Sequence, residues 1–136
     1  MKWWVVPVAL LCLLACRDPN SYQPIDPTKS DPPAPPVLSY PVNGWKSDLY
    51  AYPQNVDFAW QVVSGAQFYQ LEISLDSLFG SIDQSYWHPR VYQPSAADSI
   101  RYCGLYFWRV RAASSNWNDY TAWSDRFWFA LPNPAR

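Results

Sequence analysis

Gly-Leu-Tyr-Phe-Trp-Arg-Val-Arg-Ala-Ala, residues 104–113, is the stretch that decides the fold of this 136-residue chain. Aromatic and branched side chains alternate along it with period two, which is typical of a β-strand with one face in a core. The glycine at its start favours a tight turn into the strand. The inward face is predicted to carry Tyr106, Trp108, Val110 and Ala112, and the outward face Leu105, Phe107, Arg109 and Arg111.

Shorter runs of the same kind lie on both sides, separated by turn signals such as Asn43-Gly44 and Ser64-Gly65. No stretch has the spacing of an amphipathic helix. Short strands with frequent turns predict an all-β, antiparallel two-sheet sandwich. Its other strands are expected at Pro36–Pro41, Asn55–Val62, Gln67–Leu75, Ser81–Trp87, Val91–Gln93, Ser99–Tyr102 and Ala122–Leu131.

The segments between these strands are predicted to be loops. Trp45 to Pro53 is expected to be irregular, with the rings of Trp45, Tyr50 and Tyr52 exposed. Phe79, in the turn after the Gln67–Leu75 strand, is expected to fold back onto the core.

Residues 1–15 have the pattern of a signal peptide, with Lys2 followed by an apolar stretch too short to span a bilayer. The stretch ends Leu13-Leu14-Ala15-Cys16, which resembles the bacterial lipobox and implies lipid attachment at Cys16. The alternative is an ordinary secretory signal that contains a cysteine. Arg17 follows in place of an aspartate that would favour the inner membrane, so the outer membrane is the expected location.

Residues 16–36 are predicted to be a linker between the lipidated cysteine and a domain at 37–134. Seven of the 14 prolines fall between residues 17 and 36, with no apolar periodicity. Such a segment is extended and semi-rigid, with a reach of roughly 60 Å in polyproline geometry.

The strand pattern resembles that of a fibronectin type III domain over about residues 36 to 132. The resemblance implies an immunoglobulin-like sandwich with no catalytic residues, in which the Tyr106 hydroxyl bonds back to upstream backbone as a tyrosine corner. The matching positions are Trp60, then Tyr69, Leu71 and Ile73, then Ile100 six residues before Tyr106, and finally Trp108, Val110 and Ala112.

Catalytic chemistry is not indicated. His88 is the one histidine, stands before a proline and is expected to be a solvent-facing loop residue. Cys103 is expected to be a partly buried apolar residue. No metal site or cofactor is predicted, and a formal net charge of −1 gives no attraction to nucleic acid.

Two aromatic groups are candidates for binding. The first is the outward sheet face, where arginines beside rings suit a protein partner; its residues are Phe68, Phe107, Arg109, Arg111 and Trp128. The alternative is a self-satisfied ladder of Glu–Arg pairs. The second group is Trp117 and Tyr120, in a loop whose rings and amides suit a glycan. Its alternative is that Trp117 folds onto the sandwich edge.

These features together predict a membrane-anchored lipoprotein that presents one module for protein binding or envelope assembly. The alternative function is a carbohydrate-binding surface protein that uses the loop aromatics.

Replacing Cys16 with Ser should release the protein from the membrane fraction, because the thiol that accepts the lipid is lost. Cell fractionation with immunodetection measures this, and Cys12→Ser is the matched control that should stay membrane-bound. Unchanged membrane association of the Cys16→Ser protein would contradict lipidation at this position.

Overall fold

The computed structural model describes residues 26–80 and 85–134. Within these residues the chain forms strands and loops, and no helix is long and apolar enough to cross a bilayer. The strands are β1 (Leu38–Tyr40), β2 (Trp45–Lys46), β3 (Gln54–Trp60), β4 (Phe68–Ser74), β5 (Ser85–Val91), β6 (Ser95–Ile100), β7 (Gly104–Ala113) and β8 (Phe127–Leu131).

Two sheets pack face to face, one of three strands in the order β1-β3-β6 and one of five in the order β2-β8-β7-β4-β5. All pairings between these strands are antiparallel except the short parallel contact between β2 and β8. The predicted all-β two-sheet sandwich is therefore confirmed.

The core is built from the inward faces of β3, β4 and β7. Trp60 and Trp108 enter it from the two facing sheets, as the alternation predicts, and both are almost completely buried. The Phe58 ring lies edge-on to Trp108 at 5.1 Å between centroids, and Tyr106 stacks on Phe129 at 5.3 Å. Rings in these arrangements add attraction beyond the area they bury.

The predicted tyrosine corner is also confirmed. The Tyr106 hydroxyl donates a hydrogen bond to the Tyr102 carbonyl at 2.8 Å, which fixes the turn between β6 and β7. Burial raises the pKa of this phenol above its usual value, so it stays protonated and able to donate even at alkaline pH. At the start of β7, any side chain on Gly104 would place its first carbon 2.7 Å from Leu75 Cδ2.

The predictions for β5 and β6 are wrong in their bounds. β5 does not end at Trp87 but continues through His88 and Pro89 to Val91, while residues 81–84 lie outside the described part. Proline is tolerated because β5 is an edge strand and its pairing with β4 shifts register at that point. The segment from Ser95 to Ile100, expected to be mostly loop, pairs continuously with β3.

His88 is a strand residue and not the solvent-facing loop residue that was expected. Its Nε2 lies 2.7 Å from Oδ2 of Asp98, and both side chains are mostly buried. His88 belongs to the edge of one sheet and Asp98 to the edge of the other. The pair therefore joins the two sheets along one side of the sandwich, where two open edges would otherwise face solvent.

Two further expectations are corrected on the other side of the molecule. Trp45 lies in β2, and the rings of Trp45 and Tyr52 pack against the core, which leaves Tyr50 exposed. The last strand begins at Phe127 instead of Ala122.

The segment from Thr121 to Ser124, before β8, still runs alongside β7 and is hydrogen-bonded to it through side chains as well as backbone. The hydroxyls of Thr121 and Ser124 accept hydrogen bonds from the backbone of Ala112 and Val110, each at 3.0 Å. Such side-chain bonds compete with a regular ladder and explain why the strand begins late.

Truncating either core tryptophan should destabilise the domain strongly. Trp60→Ala and Trp108→Ala should each lower the free energy of unfolding by about 3–5 kcal/mol, because a large buried ring is replaced by a cavity. Trp87→Ala, at a half-exposed position, should cost about 1 kcal/mol or less. Denaturant melts measure all three, and equal losses at Trp87 and Trp108 would contradict this assignment of faces.

Candidate binding surfaces

The outward side of the five-stranded sheet carries the candidate residues for protein binding, and we call it the outer face. Strand register places Phe107 opposite Trp128, Arg109 opposite Glu72, and Arg111 opposite Gln70. Phe68 lies further along β4, opposite Ala113. The five residues selected from the sequence therefore share one continuous surface, as the alternation of β4, β7 and β8 requires.

Arg109 is enclosed on this surface. Its guanidinium lies 4.1 Å from the ring centroid of Phe79 and 4.1 Å from that of Trp123. Its Nε and Nη2 donate to Oε2 of Glu72 at 3.0 and 2.9 Å. Phe79 was expected to cap the core, and this expectation is wrong because the ring lies on the opposite side of the sheet, against Arg109.

Arg111 continues the same arrangement. Its guanidinium lies 4.0 Å from the Tyr120 ring centroid and 4.5 Å from that of Trp123, and its Nε donates to Gln70 Oε1 at 2.7 Å. We call Phe79, Arg109, Trp123, Arg111 and Tyr120 the aromatic–arginine stack. The self-satisfied ladder considered from the sequence is thus present, with a glutamine in place of the second glutamate.

The two ends of the outer face are fixed by other contacts. Arg90 lies over the Phe68 ring at 5.0 Å, and Arg126 lies over Phe107 at 5.1 Å. The Trp128 ring covers Gly44, where an added first side-chain carbon would lie 3.3 Å from its Cζ2. Gly44 also has a φ of +86°, so this close approach requires glycine.

Three residues of the outer face, Trp87, Trp123 and Leu78, were not among the candidates predicted from the sequence. Trp87 is 46% exposed and lies opposite Glu72, with its ring 6.3 Å from that of Trp123. Both tryptophans were missed because the predicted strands at their positions had the wrong bounds. Leu78, in the loop after β4, is 82% exposed, the kind of position that no alternation can predict.

The loop that presents Leu78 is held tightly. The Asp76 carboxylate accepts hydrogen bonds from the backbone of Leu78 and Gly80 at 2.9 and 2.8 Å. Phe79 has a φ of +56°, a strained value for a residue with a side chain, and its ring is held by Arg109. The hydrogen bonds to Asp76 and the contact of Phe79 with Arg109 therefore hold this turn in a conformation that exposes Leu78.

The glycan candidates Trp117 and Tyr120 do not form an exposed pair. Trp117 is 8% exposed and belongs to the core cluster, with its ring over Gly65. This corrects the expectation of an exposed ring: the indole folds onto the sandwich edge, since that position buries its large apolar surface. Tyr120 remains exposed beside Arg111.

The end of the predicted linker pairs with this same loop. Ser30 donates its backbone N–H to Asn116 O at 3.1 Å and accepts from the Asn118 N–H at 2.8 Å. Asn118 Nδ2 donates to Asp31 Oδ1 at 3.1 Å. Ser30 and Asp31, the docked segment, therefore bring the chain into the domain at the β7–β8 loop.

No group of His, Cys, Asp and Glu side chains in the described ranges could hold a metal ion. The thiol of Cys103 is free and partly buried, as expected.

Comparison with solved structures identifies the fold. The chain is similar to an Fn3-like protein from Clostridium thermocellum, with 19% identity, a TM-score of 0.52, and coverage of 74% of this chain and 95% of that one. It is also similar to the fn3 domain of human collagen alpha-1(XX) chain, with 19% identity, a TM-score of 0.51, and coverage of 82% and 97%. The fold is therefore that of a fibronectin type III domain, as the resemblance implied. No protein-family model and no curated protein matches the sequence at a significant level.

Reversing the charge of Arg109 should destabilise the fold, although its side chain points away from the core. Arg109→Glu would place a second carboxylate against Glu72 and remove the cation from two rings, at a cost of about 1–3 kcal/mol. The double variant Arg109→Glu with Glu72→Arg should recover part of this loss. Denaturant melts of the two proteins test the pairing, and no recovery in the swapped protein would contradict it.

Proposed function

We propose that this protein is a lipid-anchored envelope protein whose fibronectin type III-like domain binds another protein through its outer face. The observation that carries the proposal is the aromatic–arginine stack, which covers an outer face that no other layer of the described residues packs against. Tryptophan, tyrosine and arginine are the side chains that contribute most to protein–protein contacts.

Rigidity of the outer face supports this function. Arg109 and Arg111 are each held by two rings and a polar partner, so their side chains lose little additional freedom when a partner binds. Because these charges are already partnered, we assign the contact energy to the exposed apolar groups around them. These groups are Leu78, Trp87 and Leu105, each at least 46% exposed.

The membrane anchor is part of the proposal and rests on the sequence around Cys16. The docked segment brings the chain into the domain at the β7–β8 loop, so the anchor is connected to that end of the sandwich. Ser30 lies fourteen positions after Cys16, and the extended linker predicted from the sequence would span at most roughly 43 Å over that distance in polyproline geometry. The outer face is a side of the sandwich and not its tethered end, so a domain that stands on the tethered end leaves it accessible. We propose the outer membrane as the location.

Substituting the exposed apolar groups should abolish the protein contact without unfolding the domain. Leu78→Asp with Trp87→Ser should remove the crosslinks that the wild-type protein forms in native envelopes, because a charge and a lost ring interrupt an apolar contact. Val62→Asp is the matched control, since Val62 is 72% exposed but lies in the β3–β4 loop. Crosslinking with mass spectrometry measures both, alongside denaturant melts.

The outcomes separate cleanly. Crosslinked partners that survive in the folded Leu78→Asp, Trp87→Ser protein would rule out the outer face. Loss of the same partners in the Val62→Asp protein would assign the contact to the other end of the domain.

A further inference from the structure

A groove at the tethered end of the sandwich is a second place where the structure gathers binding chemistry. It lies between the start of β4, the end of β5 and the β7–β8 loop, and has a volume of about 560 Å³. This is within the range of roughly 300–1,000 Å³ found for small-molecule sites. We call it the end groove, and its lining includes Phe68, Arg90, Asn118, Asp119 and Tyr120.

Two rings give the end groove its apolar surface. Phe68 lies at one side, partly covered by Arg90, and Tyr120 at the other, with Arg111 stacked on it at 4.0 Å. The guanidinium stacked on each ring fixes the orientation of that ring, and Tyr120 is still 36% exposed. The faces of such rings carry partial negative charge and attract the weakly positive C–H groups of a ligand.

Several polar groups of the end groove have donor or acceptor atoms that no hydrogen bond to another described residue uses. Neither Arg90 nor Asp119 forms an ion pair with another described residue. Asp119 uses Oδ1 to accept from the Tyr120 N–H, which leaves Oδ2, and Asn118 uses one of its two amide hydrogens on Asp31. Donors and an acceptor therefore line the same groove as the two rings.

The surrounding loops hold these groups in place. Gln67 and Ser115 bond to each other twice, at 3.1 and 2.9 Å, across the base of the β7–β8 loop. The docked segment holds Asn118 by backbone and side chain together. The groove is thus largely formed before a ligand arrives, which lowers the entropy that binding must overcome.

This combination favours one class of ligand. An anion would meet the carboxylate of Asp119 as well as Arg90, and a purely apolar ligand would leave these charges desolvated and unpaired. A polyhydroxylated ring suits both the charged and the aromatic groups of the groove. Its hydroxyls can donate to the carboxylate and accept from the guanidinium and the amide, and its C–H faces can pack on the aromatic rings. We propose that the end groove binds a neutral hexopyranose unit of a glycan.

The proposed sugar site shares Tyr120 and Phe68 with the outer face and is otherwise distinct from the proposed protein contact. Leu78 and Trp87 are absent from the groove lining, while Arg90, Asn118 and Asp119 take no part in the aromatic–arginine stack. Trp117, the ring that first suggested a glycan, contributes by filling the sandwich edge beneath the loop.

The test is a binding titration of the full chain in detergent with defined oligosaccharides. The neutral probes are oligomannose, cello-oligosaccharide and galacto-oligosaccharide, and the acidic probe is oligogalacturonate. Binding of at least one neutral probe, tighter than the acidic one, is expected. No binding of any neutral probe, or tighter binding of oligogalacturonate, would overturn the proposal.

Variants then locate the site. Tyr120→Ala should weaken binding of the neutral probe at least about tenfold, and Arg90→Gln or Asp119→Asn should each do so as well, since each removes a hydrogen bond to a charged group. Asp119→Asn keeps the shape of the loop and guards against a fold defect in Tyr120→Ala. Trp87→Ser is the control that should bind normally. Unchanged affinity in both Arg90→Gln and Asp119→Asn would place any sugar binding elsewhere.

Discussion

The burial of the Trp108 indole is the contact on which the rest of the structure depends. This ring is fully buried between Phe58 of the opposite sheet, at 5.1 Å, and Phe127 of the neighbouring strand, at 6.0 Å. A slip of one residue would move it to solvent, so it sets the register of β7 against β4 and β8. The same constraint directs Phe107, Arg109 and Arg111 outward, and the outer face follows from the core.

Arg109 and Arg111 lie on a sheet surface, and the groups that pair with them determine the chemistry of that surface. Strand β4 supplies Glu72 and Gln70, and the β4–β5 and β7–β8 loops supply the rings of Phe79, Trp123 and Tyr120. The contacts that pair the two guanidiniums therefore also hold both of these loops against the sheet. A surface that stabilises its own fold in this way is arranged before any partner arrives, which reduces the entropy lost on binding.

The parts of the fold that could be predicted are those where alternation is strong. In β3, β4 and β7 every second residue is a large apolar group, and their facing was predicted correctly. β5 and β6 could not be predicted, because Pro89 breaks the ladder and Ala96 and Ala97 carry too little apolar surface to show a pattern. The outward residues of β4, β7 and β8 could be predicted because side chains alternate between the two faces of a strand. The positions of Phe79 against Arg109 and of Trp117 in the core depend on loop geometry and could not be predicted.

Arg90 shows why the end groove could not be found from the sequence. It follows Pro89 in an edge strand with a shifted register, and its approach to Phe68 depends on that shift. Tyr120 and Asn118 reach the same space because hydroxyls of Thr121 and Ser124 hold the chain along β7 and because Ser30 pairs with the loop. The docked segment therefore connects the two proposals. It would link the proposed lipid anchor to the end that carries the groove, and it leaves the side with the aromatic–arginine stack open.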